Sequence, residues 1–255
     1  MELVDTHCHI HFPDYELDPE EVIQNARNDQ VNSLICVGCT LPDSQGAIEF
    51  AKKHDNVWAS IGLHPHEGSR YVSDHKALQQ FHDLSGLPNV VAIGECGLDY
   101  YYEHSPKNDQ QKLLRFQLDI ATEKNLPVIF HVRDAFEDFW PIIDEHKGLR
   151  GVIHSFTGTR SELHEILSRG FYVGLNGIMT FTKKDEQIAM AKAVPLDKLL
   201  LETDAPYLTP VPYRGKICEP KHVRVTASYL STLRGESLES LAAATTQNAR
   251  DLFKI

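Results

Sequence analysis

Two hydrophobic rhythms alternate along the chain. Short, nearly continuous apolar runs occupy Leu3 to Thr6, Ser33 to Gly38, Val57 to Leu63, Val90 to Gly94, Pro127 to Val132, Gly151 to Phe156, Phe171 to Leu175 and Leu199 to Thr203. Continuity, rather than in-and-out alternation, marks strands covered on both faces. Between the runs, apolar residues recur at helical spacing: Asp18 to Asn28, Pro42 to His54, Asp109 to Lys124, Phe136 to His146, Ser161 to Arg169 and Asp185 to Ala193. Asp74 to Leu84 carries a thinner stripe of Ala77, Leu78 and Phe81, and Lys221 to Leu233 and Leu238 to Phe253 read as two closing helices. The Asp18-Pro19 start supplies an N-cap and a proline at the first helical position.

Strands that alternate with helices imply right-handed crossovers and a parallel sheet. Eight such units in 255 residues fit the α/β class as a (β/α)8 TIM-type barrel, in one domain spanning 1–255. A doubly wound open sheet would show a Gly-rich phosphate loop after an early strand, and the chain has none. No sequence repeat, low-complexity tract or Pro/Gly/Ser linker marks a domain boundary.

The polar residues at the ends of the apolar runs change the picture from fold to chemistry. His7 and His9 follow the first run, His64 and His66 the third, Glu95 the fourth, His131 and Arg133 the fifth, His154 the sixth and Asp204 the eighth. Six of the 14 histidines stand at these ends, which in a barrel form one mouth where catalytic groups gather. In a strand alternate side chains share a face, so His7 and His9 can reach one metal ion and Cys8 faces away, as does Cys96 beside Glu95. The imidazoles and carboxylates exceed the needs of one four-coordinate ion. Two divalent metal ions, or three, are the expectation, with Glu95 able to bridge; Mg, Mn and Zn are not separated. Asp204 is read as a ligand that also orients the attacking water. Glu202 lies deeper on the same strand face, as an acceptor behind a ligand histidine or one half of a buried ion pair. His54, His75, His82, His146 and His164 are read as solvated helix residues.

These residues resemble a known pattern. Asp5-Thr6-His7-Cys8-His9, Gly62 to His66, Gly94 to Tyr100, His131, His154, Glu202 to Pro206, Arg214 to Pro220 and Asn248 to Phe253 are similar to the TatD family of metal-dependent deoxyribonucleases, in the amidohydrolase superfamily. The resemblance implies a TIM-type barrel, with His7, His9, Glu95 and Asp204 on one metal and Glu95, His131 and His154 on the next. It implies His66 as a phosphate contact. The chain departs from the family at Cys218, where Asn is usual before Glu-Pro. That bears on substrate contacts of the loop and not on the metal ligands; Cys218 is expected to be neither ligand nor disulfide partner.

The function expected is hydrolysis of DNA phosphodiester bonds by metal-activated water, in exonucleolytic mode, on single strands or frayed ends, with Glu95 and Asp204 catalytic. His64, Arg133, Arg214 and Lys216 join His66 as candidate substrate contacts. Arg133 binds phosphate or pairs with an acid such as Asp134. Arg214 and Lys216 flank Gly215 in a turn that Pro212 also favours. Tyr100-Tyr101-Tyr102 either stacks nucleobases or packs as a lid on the rim. The alternative keeps the site and changes the bond, to a small lactone, amide or phosphoester, because fold alone does not separate these. A third reading is a non-catalytic nucleic-acid-binding or metal-storage protein. A net charge of −11 argues against a broadly DNA-coating surface and makes a local cationic patch necessary. Five cysteines, an acidic start and no signal peptide point to the cytoplasm; the chain is expected to act as a monomer. No apolar run reaches membrane-spanning length.

Overall fold

The computed structural model describes residues 1–255. Its strands are β1 (Leu3–Cys8), β2 (Val31–Val37), β3 (Val57–Ile61), β4 (Val90–Asp99), β5 (Val128–Arg133), β6 (Gly151–Ile153), β7 (Tyr172–Leu175) and β8 (Leu199–Leu201). They stand in chain order in one eight-stranded sheet. Beyond β8 the chain returns to β1, where Cys8 bridges Ala205 in parallel and the His9 amide donates to the Ala205 carbonyl at 2.7 Å. A sheet ordered from first to last, with the chain beyond its last strand back against its first, has the (β/α)8 barrel topology that the alternating rhythm predicts.

The helices are α1 (Pro19–Asn28), α2 (Leu41–Ala51), α3 (Gly68–Tyr71), α4 (His75–Leu84), α5 (Lys107–Lys124), α6 (Phe136–Asp144), α7 (Arg160–Ser168), α8 (Asp185–Ala193), α9 (Val223–Arg234) and α10 (Leu238–Phe253). Their starts are set locally. Asp18 accepts the Glu20 amide ahead of Pro19, and Thr159 with Glu162 closes a capping box on α7, each satisfying amides the helix leaves without partners. α9 stops at Gly235, whose φ of 72° is left-handed. No helix is long and apolar enough to cross a membrane.

The chain divides into two compact units, Met1–Cys36 with Ser155–Ile255, and Val37–His154. In the first, β1 is buried along its whole length and pairs in parallel with β2 from Leu3–Val31 to Cys8–Cys36. Asp5 ties β1 to the chain after β8, accepting the Thr203 amide at 2.9 Å and hydroxyl at 2.6 Å. In the second, β4 is longer than its apolar run. Pairing with β5 continues through Gly97–His131 and Leu98–Val132 to Asp99–Arg133. Glycine is what permits this: a Cβ on Gly94 would overlap the Ile129 carbonyl, and one on Gly97 the His131 carbonyl. The expected strand end at Gly94 is therefore five residues short. The short helix α3 and the preceding 3-10 turn Pro65–Glu67 had no sequence expectation, since their residues form no apolar stripe. Phe81, Phe130 and Phe139 are fully buried in this unit, with Phe130 and Phe139 edge to face at 5.1 Å.

Candidate metal centre

Each unit carries its own group of ligand-type side chains at strand ends. In the first, His7 and His9 are buried and their Nε2 atoms lie 3.1 Å apart. The Asp204 Oδ1 is 3.6 Å from the first and 3.5 Å from the second. Two imidazole nitrogens bound to one ion at about 2.05 Å stand roughly 3 Å apart in tetrahedral or octahedral geometry. The observed spacing matches, so this donor set fits a divalent cation. Asp204 reaches the group from a left-handed backbone, φ 62°, a conformation few non-glycine residues hold without a compensating role. Its amide donates to the His7 carbonyl at 2.8 Å, which fixes the turn. Asp5, below the pair, is buried; desolvation pushes its carboxyl up against the pull of the Thr203 and His7 hydrogen bonds.

Glu202 is buried and accepts the Ser155 amide at 2.6 Å, with the Asn176 amide group at 3.5 Å. It thereby fixes the residue directly after His154. Asn176 also donates to the Ser155 hydroxyl at 2.9 Å. Space for this carboxylate comes from Gly174, whose added Cβ would overlap Glu202 Oε2.

In the second unit the centre of the group is Glu95. Its Oε1 has His131 Nδ1 at 2.8 Å, His154 Nε2 at 3.3 Å and His64 Nε2 at 3.6 Å. A single carboxylate oxygen has two lone pairs, fewer than the three ring nitrogens that converge on it. The imidazoles of His131 and His154 with this carboxylate are a borderline-metal donor set. Burial works to raise the Glu95 pKa, but the charge and hydrogen bond of His154 and the hydrogen bonds of His131 and His64 hold it well below the usual carboxylate range. The Cys39 thiol stands 3.7 Å from Oε2.

His131 lies between two acids, with Nε2 2.9 Å from Asp99 Oδ2. Burial would lower its pKa; the hydrogen bonds to Asp99 and Glu95 outweigh it and raise it. A carboxylate behind one ring nitrogen, leaving the other for a metal, is the usual support of a histidine ligand. Asp99 was not foreseen. It is fully buried, also contacts His66 Nε2 at 3.1 Å, and accepts the Tyr101 and Tyr102 amides at 3.0 Å each. Its pKa is driven down by His131, the Tyr102 amide and His66 against its own desolvation. It shares a β4 face with Glu95, four residues on, a relation visible once the strand is known to continue past Gly97.

Two amides on α5 hold the loops that carry these groups. Gln117 accepts the Leu63 amide at 2.8 Å and donates to its carbonyl at 2.9 Å. Gln110 does the same for Asp99, at 2.8 and 3.0 Å. Both are buried and seven residues apart, two turns on one helix face.

The sequence profile of the family described as TatD related DNase matches residues 4–254. The chain belongs to the TatD-related DNase family. It is 38% identical over 255 residues to YabD of Bacillus subtilis, an uncharacterized metal-dependent hydrolase, covering 99% of each chain. It is 36% identical over 247 residues to the 3'-5' ssDNA/RNA exonuclease TatD of Shigella flexneri, covering 93% of this chain and 94% of that one. The crystal structure of YjjV, a TatD homolog from Escherichia coli K12, superposes with a TM-score of 0.92 at 28% identity, over 99% of this chain and 98% of that one. Membership makes the chain an enzyme, a metal-dependent hydrolase.

The TatD-type substrate candidates divide by environment. His64 is buried at its ring, and desolvation takes its pKa to about 4. It accepts the His66 amide on Nδ1 at 3.2 Å, so the neutral ring carries its proton on Nε2. His66 is part-exposed, with Nε2 turned to Asp99. Arg214 and Lys216 are exposed around Gly215. Arg214 lies 4.0 Å over the Phe181 ring and donates to the Thr209 carbonyl at 2.8 Å, so this loop is anchored. Cys8 and Cys96 are buried, and all five cysteines are free. Cys218 is likewise no disulfide partner, but it is fully buried, its sulfur 3.6 Å from His222 Nδ1.

Proposed function

We propose that the chain is a deoxyribonuclease that shortens single-stranded DNA or frayed ends exonucleolytically, using two divalent cations, or three. The observation that carries this reading is the pair of ligand groups: His7, His9 and Asp204 around a 3.1 Å nitrogen pair, and Glu95, His131 and His154 around one carboxylate oxygen. Each group would hold one cation in this proposal, with Glu95 a ligand of the second. The TatD exonuclease relative supports a nucleic-acid substrate. Carboxylate donors suit Mg and Mn and imidazole donors suit Zn, and both groups combine the two kinds of donor. The residues 4–254 matched by the family support one hydrolase domain over 1–255. Free cysteines throughout support a cytoplasmic setting, where the protein acts as a monomer.

Bound divalent cations lower the pKa of a coordinated water and offset charge on phosphate oxygens. Asp204 orients the attacking water and accepts its proton. Asp99 fixes the His131 ring, and Glu202 fixes the turn after His154. His64 offers its Nε2–H to a phosphate oxygen. His66, held on Asp99, with exposed Arg133, Arg214 and Lys216, contacts the phosphates of the strand.

The test is product analysis on end-labelled single-stranded DNA with Mg, Mn or Zn added to the stripped protein. Stepwise loss of nucleotides from one end is expected. No cleavage with any of the three metals, alongside turnover of a lactone or amide, would replace this reading with the small-molecule one.

A further inference from the structure

We infer that Tyr101 and Tyr102, with Arg133 packed on them, form a nucleobase-stacking subsite beside the Glu95 group. The inference rests on the nuclease reading and adds a recognition element to it. Three consecutive tyrosines follow Asp99, and the structure treats them differently. Tyr100 is pinned: its hydroxyl donates to Asp138 at 2.9 Å and accepts from Gln111 at 2.9 Å, and Lys107 covers its ring at 4.2 Å. Tyr101 and Tyr102 are 58% and 51% exposed. A lid packed on the rim would bury these rings; solvent covers them instead. Adjacent large aromatic rings left in water form a contiguous apolar patch, the kind of surface that binds ligands.

Their positions are nonetheless fixed. Both amides donate to Asp99, the carboxylate that also holds His131 and His66. The rings stand edge to face at 4.8 Å, and His104 stacks on Tyr102 at 5.7 Å and 14°. The Arg133 guanidinium lies 4.1 Å from the Tyr101 centroid and 4.7 Å from that of Tyr102. Rings rather than a carboxylate hold this exposed cation, which keeps its N–H edges for an anion. Flat exposed rings and a cation on one rigid loop are what a nucleotide needs: a face for the base and charge for its phosphate. Stacking of this kind tolerates any base and requires an unpaired one, so the subsite selects base-bearing single-stranded ends over bare phosphodiesters.

The experiment compares two oligomers of equal length on the metal-loaded full chain: ordinary single-stranded DNA, and the same backbone with base-free sugars in the terminal positions at both ends. The readout is the ratio of their kcat/KM values. In the parent the ordinary oligomer is preferred. Tyr101→Ala with Tyr102→Ala lowers that preference about tenfold, while Tyr101→Phe with Tyr102→Phe, which keeps the rings, retains it. An unchanged ratio in the double alanine variant, or equal loss in the phenylalanine variant, overturns the subsite and leaves the nuclease reading standing. Cleavage of neither oligomer by the parent overturns the nuclease reading, and the subsite with it.

Discussion

Asp99 is the carboxylate that holds two histidine rings and the tyrosine loop of the candidate metal centre together. Its Oδ2 stands 2.9 Å from His131 Nε2 and 3.1 Å from His66 Nε2, and its Oδ1 receives two loop amides. Asp99→Asn keeps an oxygen for those amides, so the loop and the fold persist, but it removes the charge behind the His131 ring. The expected result is a 10- to 100-fold weaker metal affinity, the usual cost of losing a carboxylate that supports a ligand histidine, with a parallel drop in activity at limiting metal. Metal titration of the stripped variant checks it; an affinity equal to the parent's would show that Asp99 serves the tyrosine loop alone. Glu202 likewise holds a backbone amide, that of Ser155, at 2.6 Å.

Among the elements, α5 holds two loop residues beside the second group. Gln110 and Gln117 each take both backbone polar atoms of one loop residue, Asp99 and Leu63. Gln110→Leu fills the space but leaves the Asp99 amide and carbonyl buried without partners, costing about 3 kcal/mol. In a chain of this size that lowers Tm by about 8 °C, and the loosened Asp99 should reduce kcat in the surviving folded protein. A thermal melt with no shift would mean that water replaces both bonds. The same elements show what sequence made visible. His7, His9, Glu95, His131, His154 and Asp204 stood out because a polar ligand type directly after an apolar run has no core use. Asp99 did not, because Gly94 and Gly97 read as the end of a strand, when their missing Cβ atoms are what let β4 approach the β5 carbonyls. The two glutamines looked like ordinary polar positions of an amphipathic helix; only the tertiary partner of an amide reveals its burial. Cys218 is the loop residue that the sequence implies, but its burial was hidden for the same reason, because the residues that cover it, His222 among them, are tertiary neighbours.

On the scale of the whole molecule, a net charge of −11 repels a polyanion, so productive binding needs local cations. Arg214, stacked on Phe181, and Lys216 are exposed on one turn. If they meet phosphates flanking the scissile one, Arg214→Ala raises KM for long single strands with little change in kcat, the mark of lost uniform binding. It also flattens the log–log salt dependence of binding by about 0.7, the contribution of one phosphate contact. Equal KM effects on long DNA and on a dinucleotide would remove this loop from the substrate path.

The central claim is that metal held by these histidines and carboxylates hydrolyses a phosphodiester. The most direct measurement is the cleavage rate of single-stranded DNA as divalent metal is returned, in known equivalents, to chelator-stripped protein, run beside Glu95→Gln. The account predicts no cleavage without metal, a rate that saturates near two equivalents per chain, and a Glu95→Gln variant that binds less metal and stays nearly inactive at saturation. Cleavage that persists in the stripped protein, or a Glu95→Gln variant with the parent's rate and metal content, would contradict it.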